Sequence, residues 1–208
     1  MPIPRIIMQM WIGDQSIRPT RLMQTWQDKN PSCVYMLWTE ENLKDFPFKN
    51  KKQIDAMGEL NGKCDIMRYE LLYKYGGIFL DADSECINPL DDFFFTDSDR
   101  WSCYENEQNA PDLISSGYHA CKVGDEICGL AILELGKLET DGSERAWQIC
   151  GNKFFASLIS KWNNIYPTKI YPSWYFIPKH GTGLEYKGTD KIYSKHYWGS
   201  TFGLYETL

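Results

Sequence analysis

Two aspartates, Asp81 and Asp83, directly follow the short apolar run Ile78–Leu80. Because residues i and i+2 of an extended segment point the same way, both carboxylates can face one point at the carboxyl end of a strand. Open α/β sheets place their ligands at that edge. Two carboxylates there favour Mg²⁺ or Mn²⁺, and such a cation in turn favours a phosphate-bearing substrate. The pair Gly76–Gly77, a typical helix stop, precedes the run and strengthens this prediction.

Two charged residues are aimed inward from the helix that precedes this motif, which is predicted over Lys63–Tyr75. On a helical wheel, Asp65 and Arg68 fall among apolar and aromatic side chains, whereas Glu70 and Lys74 fall on the opposite side, predicted to face solvent. Burying charge is costly unless it is paired and hydrogen-bonded. Asp65 and Arg68 therefore either form an i,i+3 ion pair that satisfies only itself or face a ligand.

Neighbouring residues bear on the other uses that two such aspartates can have. A calcium-binding EF-hand loop needs glycine at its sixth position, where this chain has Cys86, so that reading is excluded. A phosphatase of the haloacid-dehalogenase type would use Asp81 as its nucleophile and stays open, although Glu85 stands where such enzymes usually have Thr or Val. A solvent-exposed turn would leave the inward charges of Asp65 and Arg68 unexplained.

Alternating apolar strands and amphipathic helices surround the motif and predict an α/β fold. Strands are predicted at Ile3–Trp11, Cys33–Trp38, Trp101–Tyr104 and Leu113–Cys121. Further helices are predicted at Arg21–Lys29 with Thr20 as its cap, from Glu40, at Lys51–Glu59, Glu126–Leu138 and Trp147–Trp162. The segment from Tyr166 onward is rich in proline, glycine and aromatic residues, and predicts short strands and loops.

Length and composition predict one folded domain spanning residues 1–208. Hydrophobic residues make up 43% and charged residues 24%, which excludes a disordered chain, a collagen and a coiled coil. The net charge of −6, without a basic stripe, argues against nucleic acid and anionic membranes as partners. No apolar stretch approaches a membrane span. The 15% aromatic residues offer flat faces for sugar or base rings, so a non-catalytic carbohydrate-binding module stays open.

The seven cysteines include no CxxC pair, and an odd number cannot be fully paired within one chain. They are read as free thiols of a reducing compartment, and a cytoplasmic location is expected.

Three segments resemble a known family: IPRIIMQMW, NPSCVYMLWTEENL and CDIMRYELLYKYGGIFLDADSECINPL. In this order and spacing they are similar to the glycosyltransferases whose sugar-binding region carries a DxD motif. That family includes yeast-type mannosyltransferases and bacterial capsule enzymes, with the clostridial glucosylating toxins as distant relatives. The resemblance implies a single Rossmann-like domain of GT-A type, with a mixed, mostly parallel central sheet flanked by helices. Because no membrane anchor is visible, a soluble bacterial or large-DNA-virus branch is expected.

The resemblance also implies roles for individual residues. Trp11 would lie against the nucleotide base, expected to be uracil, and Asp65 and Arg68 would hold the ribose and sugar. Asp81 and Asp83 would hold a divalent metal, Mn²⁺ or Mg²⁺, on the donor diphosphate. His196, in the stretch SKHYWGS, is similar to a terminal histidine that completes the metal shell.

The chain departs from the family pattern at three places. Met8 and Phe79 replace a common histidine and tyrosine, and Gly151–Asn152 stands for a Gly-Pro pair.

The predicted function is metal-dependent transfer of a sugar from a nucleotide diphosphate sugar, expected to be UDP-linked, to a glycan acceptor. Residues up to about 90 would bind the donor, and residues from about 91 to 208 would form the acceptor side. Such a reaction can use a carboxylate base near the acceptor. Glu105, Glu107, Asp112 and Asp125 are all candidates, and the sequence does not distinguish among them.

Overall fold

Within residues 2–208, which the computed structural model describes, eight strands form one six-stranded sheet and one two-stranded sheet. In chain order the strands are β1 (Ile6–Met10), β2 (Val34–Trp38), β3 (Gly77–Leu80), β4 (Ser84–Cys86), β5 (Arg100–Tyr104), β6 (Ile114–Cys121), β7 (Lys169–Tyr171) and β8 (Ser194–His196). The larger sheet has the order β2-β1-β3-β6-β5-β7, and β4 pairs with β8.

The six-stranded sheet is mixed. The pairs β1–β2, β1–β3 and β5–β7 are parallel, whereas β3–β6 and β5–β6 are antiparallel. The predicted α/β class with a mixed, mostly parallel sheet is confirmed. In the β1–β3 pair, Met8 lies opposite Phe79, so the carboxyl ends of these strands meet at one edge of the sheet. This register brings Trp11 and Asp81, which follow the two strands, to the same edge.

Helices cover both faces of the sheet. They are α1 (Thr20–Lys29), α2 (Glu40–Leu43), α3 (Lys51–Ala56), α4 (Leu60–Tyr75), α5 (Phe93–Thr96), α6 (Glu126–Leu135), α7 (Ala146–Ile149), α8 (Asn152–Trp162) and α9 (Gly199–Phe202). Successive side chains of β1 and β3 alternate between two apolar cores. Met8 and Phe79 face the core built with α3, α4, α6 and α8, while Ile7 and Ile78 face the core built with α1 and α5.

Helix α4 starts three residues earlier than predicted and ends at Tyr75 as expected. Gly76 and Gly77 follow with φ angles of 61° and 98°, a region that favours glycine, so the predicted helix stop is confirmed. The prediction that Glu70 faces solvent is wrong. Glu70 is buried and accepts hydrogen bonds from the backbone N–H groups of Lys49 and Asn50, just before α3. Such N–H groups have no partner within the helix they begin and need an acceptor.

The single helix predicted at Trp147–Trp162 is wrong, because Cys150 and Gly151 separate α7 from α8. At Gly151 the backbone passes so close to α4 that a Cβ would lie 2.7 Å from Asp65 Oδ2. The remaining predicted elements differ from the structure at their ends. Helix α3 ends at Ala56, α6 ends at Leu135, and the first strand is confined to Ile6–Met10.

Candidate active site

Hydrogen bonds to the backbone of Asp81 hold the turn after β3, which carries both Asp81 and Asp83. The Asp81 N–H donates to the carbonyl of Gly117 on β6 at 3.0 Å. The Asp81 carbonyl accepts from Gln9 Nε2 on β1 at 2.9 Å and from Ser84 Oγ at 2.6 Å. Both neighbouring strands therefore fix this turn.

His196 of β8 lies beside the two aspartates. Strand β8 pairs with β4 so that His196 is opposite Ser84, which places the imidazole next to the turn. His196 Nε2 lies 3.5 Å from Asp81 Oδ2 and 3.4 Å from Asp83 Oδ1. One ligand atom of each residue lies within 4.8 Å of the other two. The structure thus brings together the three residues expected to share a metal, although they come from opposite ends of the chain.

The donor set fits a divalent cation. Carboxylate oxygens suit Mg²⁺ and Mn²⁺, and an imidazole nitrogen is more natural for Mn²⁺ than for Mg²⁺. Asp83 and the side chain of His196 are largely buried, whereas the side chain of Asp81 is 31% exposed. An incoming ligand can therefore reach the group from the side of Asp81.

Arg68 and Asp65 approach the same carboxylate from α4. Arg68 Nη2 donates to Asp81 Oδ1 at 2.7 Å, and Arg68 Nη1 donates to the carbonyl of Ser116. Asp65 Oδ1 lies 3.5 Å from the guanidinium, so the i,i+3 ion pair exists as well. Arg68 therefore does more than pair with Asp65 on its own helix, since its shorter contact is with Asp81.

Burial and charge shift the pKa values of this group in different directions. Burial raises the pKa of Asp65 to about 6, although Arg68 lowers it in part. Burial acts in the same direction on Asp81, but Arg68 and His196 outweigh it and lower the pKa of that carboxyl. Burial alone would lower the pKa of His196, but the carboxylates of Asp83 and Asp81 outweigh it and raise that pKa. The guanidinium of Arg68 and the imidazole of His196 thus both favour the ionised form of the Asp81 carboxyl.

Two glycines leave the space that these carboxylates occupy, and sequence reasoning did not assign them a role. A Cβ on Gly117 would lie 2.2 Å from Asp81 Oδ2, and one on Gly151 would lie 2.7 Å from Asp65 Oδ2. The sequence carried a signal for both, because each glycine adjoins a small polar residue inside a predicted strand or helix. Those neighbours, Ser116 and Asn152, take part in the next feature.

A chain of hydrogen bonds runs from Asp65 through Ser116, Asn152 and Glu105 to His180, and we call these residues the hydrogen-bonded wall of the site. Ser116 Oγ donates to Asp65 Oδ1 at 3.2 Å and lies 2.8 Å from Asn152 Oδ1, which also accepts from the Ser116 N–H. Asn152 Nδ2 donates to Glu105, whose other carboxylate oxygen lies 3.0 Å from His180 Nε2. Polar groups from α4, β6, α8 and the loop around His180 are thus oriented together.

The segment after β8 links this wall to the aspartates. The ring of Trp198 lies 4.9 Å from that of His180 and 4.7 Å from that of His196. Trp198 has a φ of 58°, in the left-handed region that residues other than glycine rarely adopt. The following N–H, of Gly199, donates to Asp83 Oδ2 at 2.6 Å. The unusual backbone of Trp198 therefore turns an amide toward the motif.

Trp11 lies at the same sheet edge but is covered. Its Nε1 donates to the carbonyl of Asp14 at 2.9 Å, and only 8% of the residue is exposed. The ring of Tyr205 meets it edge-on, with 4.8 Å between centroids. The predicted stacking of a nucleotide base on Trp11 thus requires Tyr205 to move or the base to use the other face.

The structure distinguishes the four candidate base residues. Asp125 is fully buried, caps the start of α6 and pairs with Arg100 at 2.6 Å, so its role is structural. Glu107 accepts from the backbone N–H of Ser173 at 3.3 Å, and Asp112 is exposed. Glu105 belongs to the hydrogen-bonded wall described above.

Comparison with known proteins gives a family match to part of the chain. A family model described as "Glycosyltransferase sugar-binding region containing DXD motif" matches residues 17–103. Inositol phosphoceramide mannosyltransferase 3 of Schizosaccharomyces pombe is 33% identical in an alignment of 100 residues, which covers 43% of this chain and 26% of that protein. Initiation-specific alpha-1,6-mannosyltransferase of Candida albicans is 30% identical in an alignment of 105 residues, which covers 44% of this chain and 27% of that protein. The chain thus spans about a quarter of the length of these relatives.

A solved structure supports the fold over more of the chain. PaToxG Glycosyltransferase superposes with a TM-score of 0.58 and 18% identity, covering 79% of this chain and 70% of that one. The predicted resemblance to the DxD glycosyltransferases is confirmed, and so is the GT-A type of fold. None of the helices in residues 2–208 combines the length and apolar character needed to cross a membrane.

Proposed function

We propose, on the premise that residues 17–103 match the DXD sugar-binding region of glycosyltransferases, that this chain transfers a sugar from a nucleotide diphosphate sugar to an acceptor hydroxyl. The observation that carries the proposal is the meeting of Asp81, Asp83 and His196 beside Arg68 at the carboxyl edge of the sheet.

Asp81, Asp83 and His196 would hold Mn²⁺, and Mg²⁺ is the alternative. When bound, the cation would supply positive charge against the departing diphosphate. Asp65 would accept hydrogen bonds from the hydroxyl groups of the ribose or the sugar, and Arg68 would donate hydrogen bonds to them. Since Arg68 is already fixed on Asp81 and the Ser116 carbonyl, it offers a pre-oriented guanidinium rather than one that must be ordered on binding.

The donor would lie mainly on residues 1–90, with its base against Trp11, and the acceptor on residues 91–208. Glu105 is the carboxylate of the second half that we assign to the acceptor side, because its hydrogen bonds connect it to Asp65 through Asn152 and Ser116. Uracil is the base that we test first. Mannose is the sugar to test first, since relatives of this chain are named mannosyltransferases.

The experiment incubates the full chain with UDP- and GDP-linked sugars, with and without Mn²⁺, and follows release of nucleoside diphosphate. We expect release that depends on Mn²⁺, is lost in Asp83→Ala and is nearly lost in Asp81→Ala. Asp55→Ala, which removes an exposed carboxylate paired with Lys51 on α3, serves as the matched control. Release of inorganic phosphate from a phosphate monoester, offered in a parallel incubation because a nucleotide sugar has no terminal phosphate, would favour the phosphatase. Sugar binding without turnover would favour the binding module, and wild-type turnover in Asp83→Ala would overturn the role of the motif.

A further inference from the structure

A second group of metal-binding side chains lies in the core between the sheet and helices α4, α6 and α8. His119 and Cys121 are two residues apart on β6 and so face the same side, and Cys128 lies in the first turn of α6. One ligand atom of each lies within 4.8 Å of the other two. All three residues have 0% exposure.

The imidazole of His119 lacks the partners that a buried histidine needs. Neither ring nitrogen has a hydrogen-bond partner within residues 2–208. The ring instead lies among aromatic rings, 4.5 Å from Phe155 and 6.3 Å from Tyr69 between centroids. A neutral imidazole carries one donor and one acceptor, and leaving either unpaired in a core destabilises the folded state. A ligand for an imidazole nitrogen would remove part of that cost.

The two cysteines have the spacing of a shared metal. Their Sγ atoms lie 3.7 Å apart, well beyond the roughly 2.05 Å of a disulfide. Two Zn–S bonds of about 2.3 Å that meet at a tetrahedral angle place the sulfurs about 3.8 Å apart. The carbonyl oxygen of Leu72 lies 3.8 Å from Cys121 Sγ, so an oxygen is also close to the thiols.

Charge balance favours zinc among thiophilic ions. Two thiolates, one neutral imidazole and Zn²⁺ sum to zero, so burial leaves no uncompensated charge. With Cu⁺ the same group would carry a net charge of −1 in the core. Binding releases the two thiol protons to solvent, and no oxidant or reductant is needed.

We propose that His119, Cys121 and Cys128 bind a Zn²⁺ ion in the core as a structural site. The site is independent of Asp81, Asp83 and His196, and the proposal does not rest on the proposed transfer activity. Since the ligands are fully buried, the ion enters as the chain folds.

The test measures metal in the full chain, expressed with added zinc, dialysed against EDTA and analysed by elemental mass spectrometry. We expect about one zinc per chain, unchanged in Asp83→Ala and reduced at least about tenfold in Cys121→Ala and Cys128→Ala. Cys103→Ala is the matched control, because Cys103 is equally buried but lies in the other core. Equal zinc in the Cys121, Cys128 and Cys103 variants would overturn the proposal.

A second measurement uses the wild-type chain alone, so it tests the proposal even if the core variants fail to fold. Wild-type chain is unfolded with chelator and reductant, then refolded with Zn²⁺, with Co²⁺ or without metal. Zinc should raise the unfolding midpoint, and cobalt should give thiolate charge-transfer absorption. Three results would each overturn the zinc assignment. They are refolding to the same unfolding midpoint without bound metal, equimolar copper in place of zinc in the purified protein, and a Cys121–Cys128 disulfide detected by mass spectrometry.

Discussion

At the scale of single residues, the absence of a side chain at Gly117 leaves room for the carboxylate of Asp81. Gly117 has an ordinary φ, so alanine is compatible with its backbone, but the added Cβ would meet Asp81 Oδ2 at 2.2 Å. We expect Gly117→Ala to displace that carboxylate and to lower kcat/KM by about 10²-fold, as a misplacement of about 1 Å does. Calorimetric titration with Mn²⁺ should show weaker binding. Wild-type Mn²⁺ affinity in a folded variant would mean that the aspartate finds an equivalent position.

Because the carboxyl of Asp65 is buried, we expect the free energy of unfolding to fall as pH rises. Its pKa is about 6 in the folded chain, because burial outweighs the attraction of Arg68, and about 3.9 when unfolded. Between these values the folded state binds one more proton than the unfolded state, so raising the pH through this window removes about 3 kcal/mol of stability. Asp65→Asn should lack this loss and be the more stable protein at pH 7, while losing activity.

Urea unfolding of both proteins without metal, from pH 4 to pH 7, checks this expectation. Other titrating groups contribute equally to the wild type and to Asp65→Asn, so they cancel in the difference between the two stabilities. A difference that does not change with pH would show that Asp65 is ionised at no cost in the folded chain.

Sequence reasoning at this scale proposed Asp81 from its type and position and His196 from a family resemblance, and the structure brings the two side chains together. The prediction that Glu70 faces solvent was wrong, because a helical wheel gives the direction of a side chain but not which part of the fold lies in that direction. In that direction lie the backbone N–H groups of Lys49 and Asn50, which donate to the Glu70 carboxylate. Gly117 escaped notice for a related reason, since only the folded chain shows which atom fills the space of its absent side chain.

At the scale of elements, the close packing of α4 against α7 depends on Gly62. A Cβ there would lie 2.4 Å from the flexible end of Met57 and 2.8 Å from the Cβ of Ala146, which is fixed to the α7 backbone. We expect Gly62→Ala to destabilise the fold by about 1–3 kcal/mol, although alanine is the better helix former by up to about 1 kcal/mol.

Gly129 of α6 offers the matched control. A Cβ there would lie 3.2 Å from the ring of Tyr73, which is 38% exposed and can move. Gly129→Ala should therefore be neutral or stabilise by up to about 1 kcal/mol in urea unfolding. Equal changes in both variants would show that helix propensity, not packing, decides at these positions.

The elements that sequence reasoning predicted best are those whose pattern is local. The apolar face of α4, its Gly-Gly stop and strand β3 are all written in consecutive residues. The break between α7 and α8 lies where Gly151 packs closely against Asp65 of another helix. The pairing of β4 with β8 joins segments far apart in the chain. Such features depend on contacts that periodicity does not contain.

At the scale of the whole molecule, the distribution of thiols predicts a sharp difference between folded and unfolded chains. All seven cysteines are free; Cys33 and Cys64 are partly exposed, and the others are buried. Burial raises the pKa of both partly exposed thiols, that of Cys64 to about 12, so their reaction near neutral pH is slow. We expect at most two thiols to react with a disulfide reagent in the native state and seven after unfolding with chelator. A third native thiol would mean that a core opens readily.

The pairing of β4 with β8 has a consequence for the order in which the site assembles during synthesis. Asp83 and its partner Gly199 are 116 positions apart. At roughly 5 to 20 residues per second, a ribosome needs about 6 to 23 s to make the intervening chain. During that interval the nascent protein carries its aspartates and Arg68, but neither the imidazole of His196 nor the amide that holds Asp83. The direction of translation thus makes completion of the proposed metal site a late event, after β8 has docked.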